Sequence, residues 1–390
     1  MTTRFGTGHA TGESSAAAKA AAQQALRQIG AAEVKLSIVF ASPAHDLPAV
    51  LRSVREVTRG APLVGCSSAG EFSAGNVGTA GVAVALLGGD VRVNVGVGRN
   101  VADLQGAVGQ AVAGFSGCSE ETLLEGWLGR TLFVMTDGLA GGAEELIDEL
   151  MIRTAMQYQL FGAAAGDDVQ FKQTYAFCND EVLSGGFVCA EVLSRKPFRI
   201  AMRHGWRPAS QAMRVTSAEG ALVKEINGLP AWEVYLRFAQ QRGLKVTDEN
   251  AGPFLMSHLL GIRLVEGHKL RVPLFKNAEG SLRCAAEIPQ GCMVQIMEKD
   301  DGAVTESGVQ ALRRAREAVS DGEVAGALVC ECVATRLLLG ERFAEEVRLM
   351  EDYLRPHPVL GLNSYGQLAR IQGDFSGMMD ATALVCLIPA

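Results

Sequence analysis

The sequence predicts an α/β fold in which repeated strand–helix–strand units form mixed sheets in two linked modules. Two observations carry this reading. An apolar run of strand length, an amphipathic helix and a second apolar run ending in a glycine-containing turn recur in that order. In addition, Pro62-Leu63-Val64-Gly65-Cys66-Ser67-Ser68-Ala69-Gly70-Glu71-Phe72 and Pro358-Val359-Leu360-Gly361-Leu362-Asn363-Ser364-Tyr365-Gly366-Gln367-Leu368 agree in residue class at almost every position. Agreement over so long a stretch marks an internal duplication.

Taken in order, residues 14–29 form a leading helix rich in Ala and Gln that ends at Gly30. The first unit opens with the strand Lys35 to Ala41. Asp46 then caps a helix whose Leu47, Val50, Leu51 and Val54 share one face, and Gly60 ends it. The second unit runs from Thr131-Leu132-Phe133-Val134-Met135-Thr136-Asp137 through a helix carrying Leu146, Ile147, Leu150 and Met151. It finishes in Leu160-Phe161-Gly162-Ala163-Ala164-Ala165-Gly166-Asp167-Asp168. The third begins at Gly326 to Cys332, and its helix presents Phe343, Val347, Met350 and Leu354. In each unit the two strands are expected to be parallel, joined by a right-handed crossover. Gly81 to Leu87 with Val91 to Val97, Thr174 to Phe177 with Gly186 to Leu193, and Ala383 to Ile388 read as β segments that extend the sheets, often as hairpins. Met213 to Asn227 resembles a hairpin, and Pro230 starts a helix reaching Gln241. The expected division is a leader helix over 1–30, one α/β module over 31–210 and a second over 211–390.

Composition narrows the function. Hydrophobic residues at 48% and charged residues at 20% supply an ample core. A net charge of -7 without clustered Lys and Arg speaks against a nucleic-acid partner. No apolar stretch is long enough to span a membrane, and the first residues lack the apolar core of a signal peptide. Nine cysteines with no Cys-x-x-Cys pair fit reduced thiols in a cytoplasmic protein without structural zinc.

Ligands of open α/β sheets bind beyond the carboxyl ends of the parallel strands. There the repeat gathers Ser42, Cys66, Ser67, Ser68, Asp137, Asp167, Arg336, Asn363, Ser364 and Tyr365. We read these as a ligand-facing rim, against the plainer alternative of tight strand-to-hairpin turns. A hydrolase alternative would use Ser67 in Gly65-Cys66-Ser67-Ser68-Ala69, with Asp137 and His204, or Cys66 as a thiolate. It requires a helix directly after Ser67, and Phe72-Ser73-Ala74-Gly75-Asn76-Val77-Gly78 has no helical periodicity. The expectation is therefore a binding protein and not an enzyme. His204 stands apart from the other histidines, because a strand-like run delivers it beside Gly205 and Trp206. A neutral imidazole is a common iron ligand; the alternative is a packed junction histidine.

These motifs resemble FIST proteins, with N-terminal and C-terminal FIST modules in tandem. The resemblance rests on Val64 to Phe72, Asp137-Gly138, Gly162 to Asp167, His204-Gly205-Trp206-Arg207-Pro208, Asn227 to Ala231, Cys332 to Arg336 and Gly361 to Gln367. The chain departs from the family pattern at Gln367 and Asp380. The resemblance implies a sensory input protein tied to histidine kinases, cyclic-di-GMP enzymes and chemoreceptors, with small polar ligands such as amino acids. A stand-alone subset is similar to haem-containing nitric-oxide sensors that regulate a separate kinase. That subset implies a non-covalent haem. In this sequence His204 is the expected iron ligand, with Trp206 against the macrocycle and Arg203 or Arg207 on the propionates; His45, His258, His357 or a Cys or Tyr compete for the iron. The sequence carries no kinase, cyclase or methyl-accepting segment, so a two-component kinase or a diguanylate cyclase or phosphodiesterase is expected as a separate partner.

Overall fold

The computed structural model describes residues 2–317, 319, 323–371, 373 and 375–390. The first unit comprises β1 (Thr3–Thr11), α1 (Ser14–Ile29), β2 (Val34–Ala41), α2 (Leu47–Val57), β3 (Leu63–Ser67), β4 (Glu71–Ser73), β5 (Asn76–Gly78) and β6 (Gly81–Gly89). The second comprises β7 (Val91–Gly98), α3 (Leu104–Ala111), α4 (Glu120–Leu124), β8 (Gly129–Thr136), α5 (Ala143–Arg153), β9 (Gln159–Ala164), β10 (Ala176–Cys178), β11 (Glu181–Leu183) and β12 (Phe187–Ser194). The third opens with β13 (Arg199–Arg203).

An insert interrupts the third unit. It contains β14 (Trp206–Pro208), β15 (Met213–Glu219), β16 (Leu222–Ile226), β17 (Leu229–Pro230), α6 (Ala231–Gln241), α7 (Ala251–Ser257), β18 (His258–Arg263), β19 (His268–Arg271), β20 (Pro273–Lys276), β21 (Leu282–Cys284) and β22 (Met293–Lys299). The third unit then resumes with α8 (Asp301–Thr305), α9 (Ser307–Glu317), β23 (Val324–Cys332), α10 (Val333–Leu339), α11 (Phe343–Leu354), β24 (Val359–Ser364), β25 (Gly366–Ile371), β26 (Phe375–Met379) and β27 (Ala383–Pro389).

The expected parallel pairs form: β2 with β3, β8 with β9 and β23 with β24. Asp46 caps α2 by accepting from the Ala49 amide at 3.0 Å. Both faces of these strands are covered, which is why they read as unbroken apolar runs. Leu36, Ile38 and Phe40 point inward with Phe133, Phe161, Leu328 and Leu360 into one core shared by all three sheets. Val39 and Ala41 face outward onto α1 and α2, while α9 and α11 cover the third sheet in the same way.

Each unit gives a hairpin to a neighbour. β4–β5 extends the third sheet beside β24, β10–β11 the first beside β3, and β25–β26 the second beside β9. The sheets therefore share one order: β1-β6-β2-β3-β10-β11, β7-β12-β8-β9-β25-β26 and β13-β27-β23-β24-β4-β5. This cyclic exchange gives the body an approximate threefold plan.

Two expectations need correction. β6 and β7 are consecutive but do not pair as a hairpin: β6 lies between β1 and β2, and β7 pairs with β12 in another sheet. β10 and β12 are likewise divided between sheets. Local alternation marks a strand without naming its partner, and here the partners come from distant segments. Residues 1–30 also hold more than a helix, because β1 precedes α1. Its glycines hide the strand pattern yet serve close packing, since a Cβ on Gly8 would lie 2.0 Å from the Ala21 carbonyl oxygen.

The insert has its own nine-stranded sheet among the described residues and its own core, including Val215, Tyr235, Leu260 and Ile296. The two linked modules are thus the three-unit body and this insert. Residues 211–390 contribute to both. Among the described residues, no helix is long and apolar enough to cross a membrane.

Candidate functional site

The carboxyl ends of the parallel strands meet in a hub of three turns. The Ala69 amide donates to the Asn363 carbonyl at 2.8 Å, and the Asn363 amide donates to Gly70 at 2.8 Å. The Gly166 amide donates to Ser67 at 2.9 Å, and the Tyr365 amide to Ala164 at 2.9 Å. These bonds link all three units.

Most of the sequence-predicted rim is used to build this hub. Cys66 points into the shared core, and burial pushes its thiol well above the ordinary range, with Cys330 and Glu71 adding to the shift. Ser67 donates to the Gly166 carbonyl at 2.7 Å and accepts from the Tyr175 amide at 2.9 Å. Ser68 donates to Glu71, and Ser364 contacts Cys330 and the Gly366 carbonyl. Asp137 accepts from Thr174, Ser184 and the Leu139 and Gly185 amides. Arg336 reaches the Ala69 carbonyl at 2.8 Å and the Asn363 side chain at 3.2 Å. The chain continues from Ser67 into β4, without the helix that a nucleophile elbow needs.

Tyr365 is different. It lines an apolar cavity of about 500 Å³ between the body and the insert. From the body come Leu139, Phe171, Val333, Leu337, Tyr365 and Asp380; from the insert come Pro253, Met256, Val272, Leu274 and Ala285. The size and lining suit a small ligand. Phe171 stacks on Tyr365 with ring centroids 4.7 Å apart. Behind them Asp167 accepts from the Tyr365 hydroxyl and from the Phe171, Lys172 and Gln173 amides. Burial alone would raise the Asp167 pKa, but these donors outweigh it and hold the carboxyl below its ordinary value. Asp167 therefore fixes the aromatic pair from outside the cavity.

Asp380 was noted in the sequence only as a departure from the family pattern. It is 1% exposed, and its Oδ2 accepts from the Val272 amide at 3.0 Å while its Oδ1 has no partner. Burial raises its pKa, opposed by the nearby charge of Arg271. The same burial, with Asp380 beside it, pushes the Cys332 thiol up to about 12, so the thiol stays neutral. The insert's wall was not legible as a site because nothing in its own sequence names the surface it covers.

None of the residues expected to hold haem, His204, Trp206, Arg203 and Arg207, lines the apolar cavity. The His204 ring accepts from the Trp206 amide at 3.3 Å and also reaches the backbone of His268. Burial lowers its pKa to about 4. Trp206 is buried in a cluster with Leu259, Met297, Cys332 and Ala334. Arg203 bonds the Met202 carbonyl, and Arg207 pairs with Glu298 at 3.0 Å.

The repeated α/β body thus closes an apolar cavity against an inserted sheet. A model of the FIST N domain matches residues 35–229 and one of the FIST C domain matches residues 231–370; the chain belongs to this family. FIST domains are signal-transduction sensor domains. The boundary between the two matches falls inside the insert, at Pro230 in β17, directly before α6. An uncharacterized protein of Methanocaldococcus jannaschii is 24% identical over 263 residues, covering 60% of this chain and 49% of that protein. The chain thus spans about half the length of that relative. Among solved structures, phosphoribosylformylglycinamidine synthase II of Thermotoga maritima aligns at 11% identity with a TM-score of 0.24, over 99% of this chain and 72% of that one. T. maritima PurL complexed with ADP aligns at 11% identity with a TM-score of 0.22, over 99% and 71%. Scores this low carry no argument about activity.

Proposed function

We propose that the protein is a sensor whose ligand occupies the cavity at the seam between body and insert, and that it acts by binding and not by catalysis. The carrying observation is the shared wall: α10 and the hub turn on one side, β20 and α7 on the other. A ligand touching both sides favours one arrangement of the two parts, and a differential affinity of that kind is what a signal requires. The output is proposed to go to a separate partner, a histidine kinase or a cyclic-di-GMP enzyme, as the family's association with signalling suggests. The Ser67 hydroxyl and Cys66 thiol, committed to the hub and the core, support binding over hydrolysis. Haem-based nitric-oxide sensing through His204 is a separate reading, and His204 lies outside this cavity.

The test is a thermal-shift panel of aliphatic and aromatic amines, alcohols, amino acids and haem, run on the wild type and on Val333→Trp, which fills the cavity. Compounds that stabilise the wild type should lose their effect in the variant. Hydrogen exchange should slow around residues 271–274 and 333–338 on binding. Equal stabilisation of both proteins would place the ligand elsewhere and overturn the proposal.

A further inference from the structure

The chemistry of the cavity narrows what it accepts, on the premise that it is the sensory site. Its wall is hydrocarbon and aromatic, and it includes no Lys or Arg. Asp380 is its one carboxyl. The Oδ1 atom is buried, lacks a hydrogen-bond partner and belongs to a residue that lines the cavity. A buried acceptor left in that state is costly, and a donor supplied by a ligand removes the cost.

The nearest protein cation does not supply that donor. Arg271 spends Nε on the Glu287 carbonyl at 2.7 Å and one terminal nitrogen on the Leu270 and Met378 carbonyls at 2.9 and 3.0 Å. Its other terminal nitrogen goes to Glu144 at 2.6 Å. Lys269 also pairs with Glu144, at 2.5 Å. The charges around these groups are acidic on balance, with Glu144, Glu145, Asp148, Glu287 and Asp380 against Lys269 and Arg271. Other buried carboxyls differ in kind: Glu331 and Glu346 also keep unpartnered oxygens, but neither lines this cavity.

We propose that the cavity binds an organic monocation, an amine with an apolar and preferably aromatic body, whose ammonium donates to Asp380 Oδ1. The body lies against Val333, Leu337 and the stacked Tyr365 and Phe171. An ammonium answers both the unpaired oxygen and the acidic surroundings. A free amino acid is disfavoured, because its carboxylate would enter an apolar wall with no cation to receive it. A neutral alcohol supplies a donor without the charge and should bind more weakly, since hydrogen bonds to ionised groups are the stronger ones.

The experiment is isothermal titration of the full chain with 2-phenylethylamine, 2-phenylethanol and phenylalanine at one pH near neutrality. Wild-type protein should bind the amine at least about tenfold more tightly than either of the others. Asp380→Asn should lower amine affinity by about tenfold or more and bring it to the level of the alcohol. The wild-type ranking needs no variant, so it stands as a test even if Asp380→Asn does not fold. Alcohol or phenylalanine binding as tight as the amine, or a folded Asp380→Asn that keeps the preference, would overturn the proposal. Val333→Trp separates the two levels. If it abolishes binding of all three probes while no amine preference exists, the site stands and the ligand class falls. If it leaves binding unchanged, or if no probe binds the wild type, the proposal falls as well.

Discussion

In the first unit the hub turn reads Ser67-Ser68-Ala69-Gly70-Glu71; in the third it reads Asn363-Ser364-Tyr365-Gly366-Gln367. Both leave a parallel strand, join the hub through backbone hydrogen bonds and enter a hairpin given to a neighbouring sheet. Their side chains have diverged. The first turn places Ala69 where the third places Tyr365, and only the third lies under the insert and lines the apolar cavity. Glu71 is a buried acid whose pKa burial raises to about 8, partly offset by the Ser68 hydroxyl. Gln367 holds the equivalent position without a titratable group; its amide satisfies the Met379 carbonyl and the Cys332 amide. A duplicated backbone carries its own hydrogen bonds, so the side chains at equivalent positions are free to differ. The third turn lines the apolar cavity, and the first has remained a joint.

The largest expected effect separates the two glycines. Gly70 has φ 129°, and a Cβ there would lie 2.7 Å from the Gly78 carbonyl oxygen, a backbone atom that cannot swing aside. Gly70→Ala should therefore destabilise the fold by about 3 kcal/mol or more in urea unfolding. At Gly366 the obstacle is the end of the flexible Met378 side chain at 2.0 Å, and Gly366→Ala should cost about 1–2 kcal/mol. Equal costs would mean that the two turns are not differently constrained.

A smaller, pH-dependent effect should distinguish Glu71 from Gln367. The unfolded chain loses the Glu71 proton near the ordinary value of 4.5, whereas the folded chain keeps it until about pH 8. Glu71 thus contributes stability that is complete below the unfolded value and is lost as pH rises through the folded one. Glu71→Gln should gain about 3 kcal/mol on the wild type between pH 5 and pH 8, and Gln367→Glu should lose a similar amount over the same interval. Denaturation at the two pH values measures both. A pH-independent difference for Glu71→Gln would show that Glu71 is ionised in the fold.

The smallest effect belongs to the hydroxyl of Tyr365. Tyr365→Phe removes its bond to Asp167 but leaves the stack on Phe171 and the three amide donors to that carboxylate. A loss of about 1 kcal/mol is expected in urea unfolding. A loss several times larger would mean that this bond holds the 167–173 loop together, and that the amides do not.

The sequence alone determined the three units, their helix faces and their turn glycines, because each rests on local periodicity and capping. Leu47, Val50, Leu51 and Val54 do form the buried face of α2, and Phe343, Val347, Met350 and Leu354 that of α11. The strand-end turn that lines the apolar cavity was also legible through Tyr365, with Asp167 behind it. Tertiary structure decided the rest. β4, β10 and β25 pair with sheets of other units, and no local pattern encodes a partner so far along the chain. Ser67 and Asp137 had the composition of a binding rim, yet neighbouring turns took up their hydrogen-bonding capacity, while Arg336 commits one guanidinium nitrogen to the hub. Asp380, a position noted in the sequence only for its departure from a family pattern, became the one carboxyl of the cavity because the insert closes over it. A side chain's type sets what it is able to bond; which of those bonds remain open for a ligand depends on what folding brings against it.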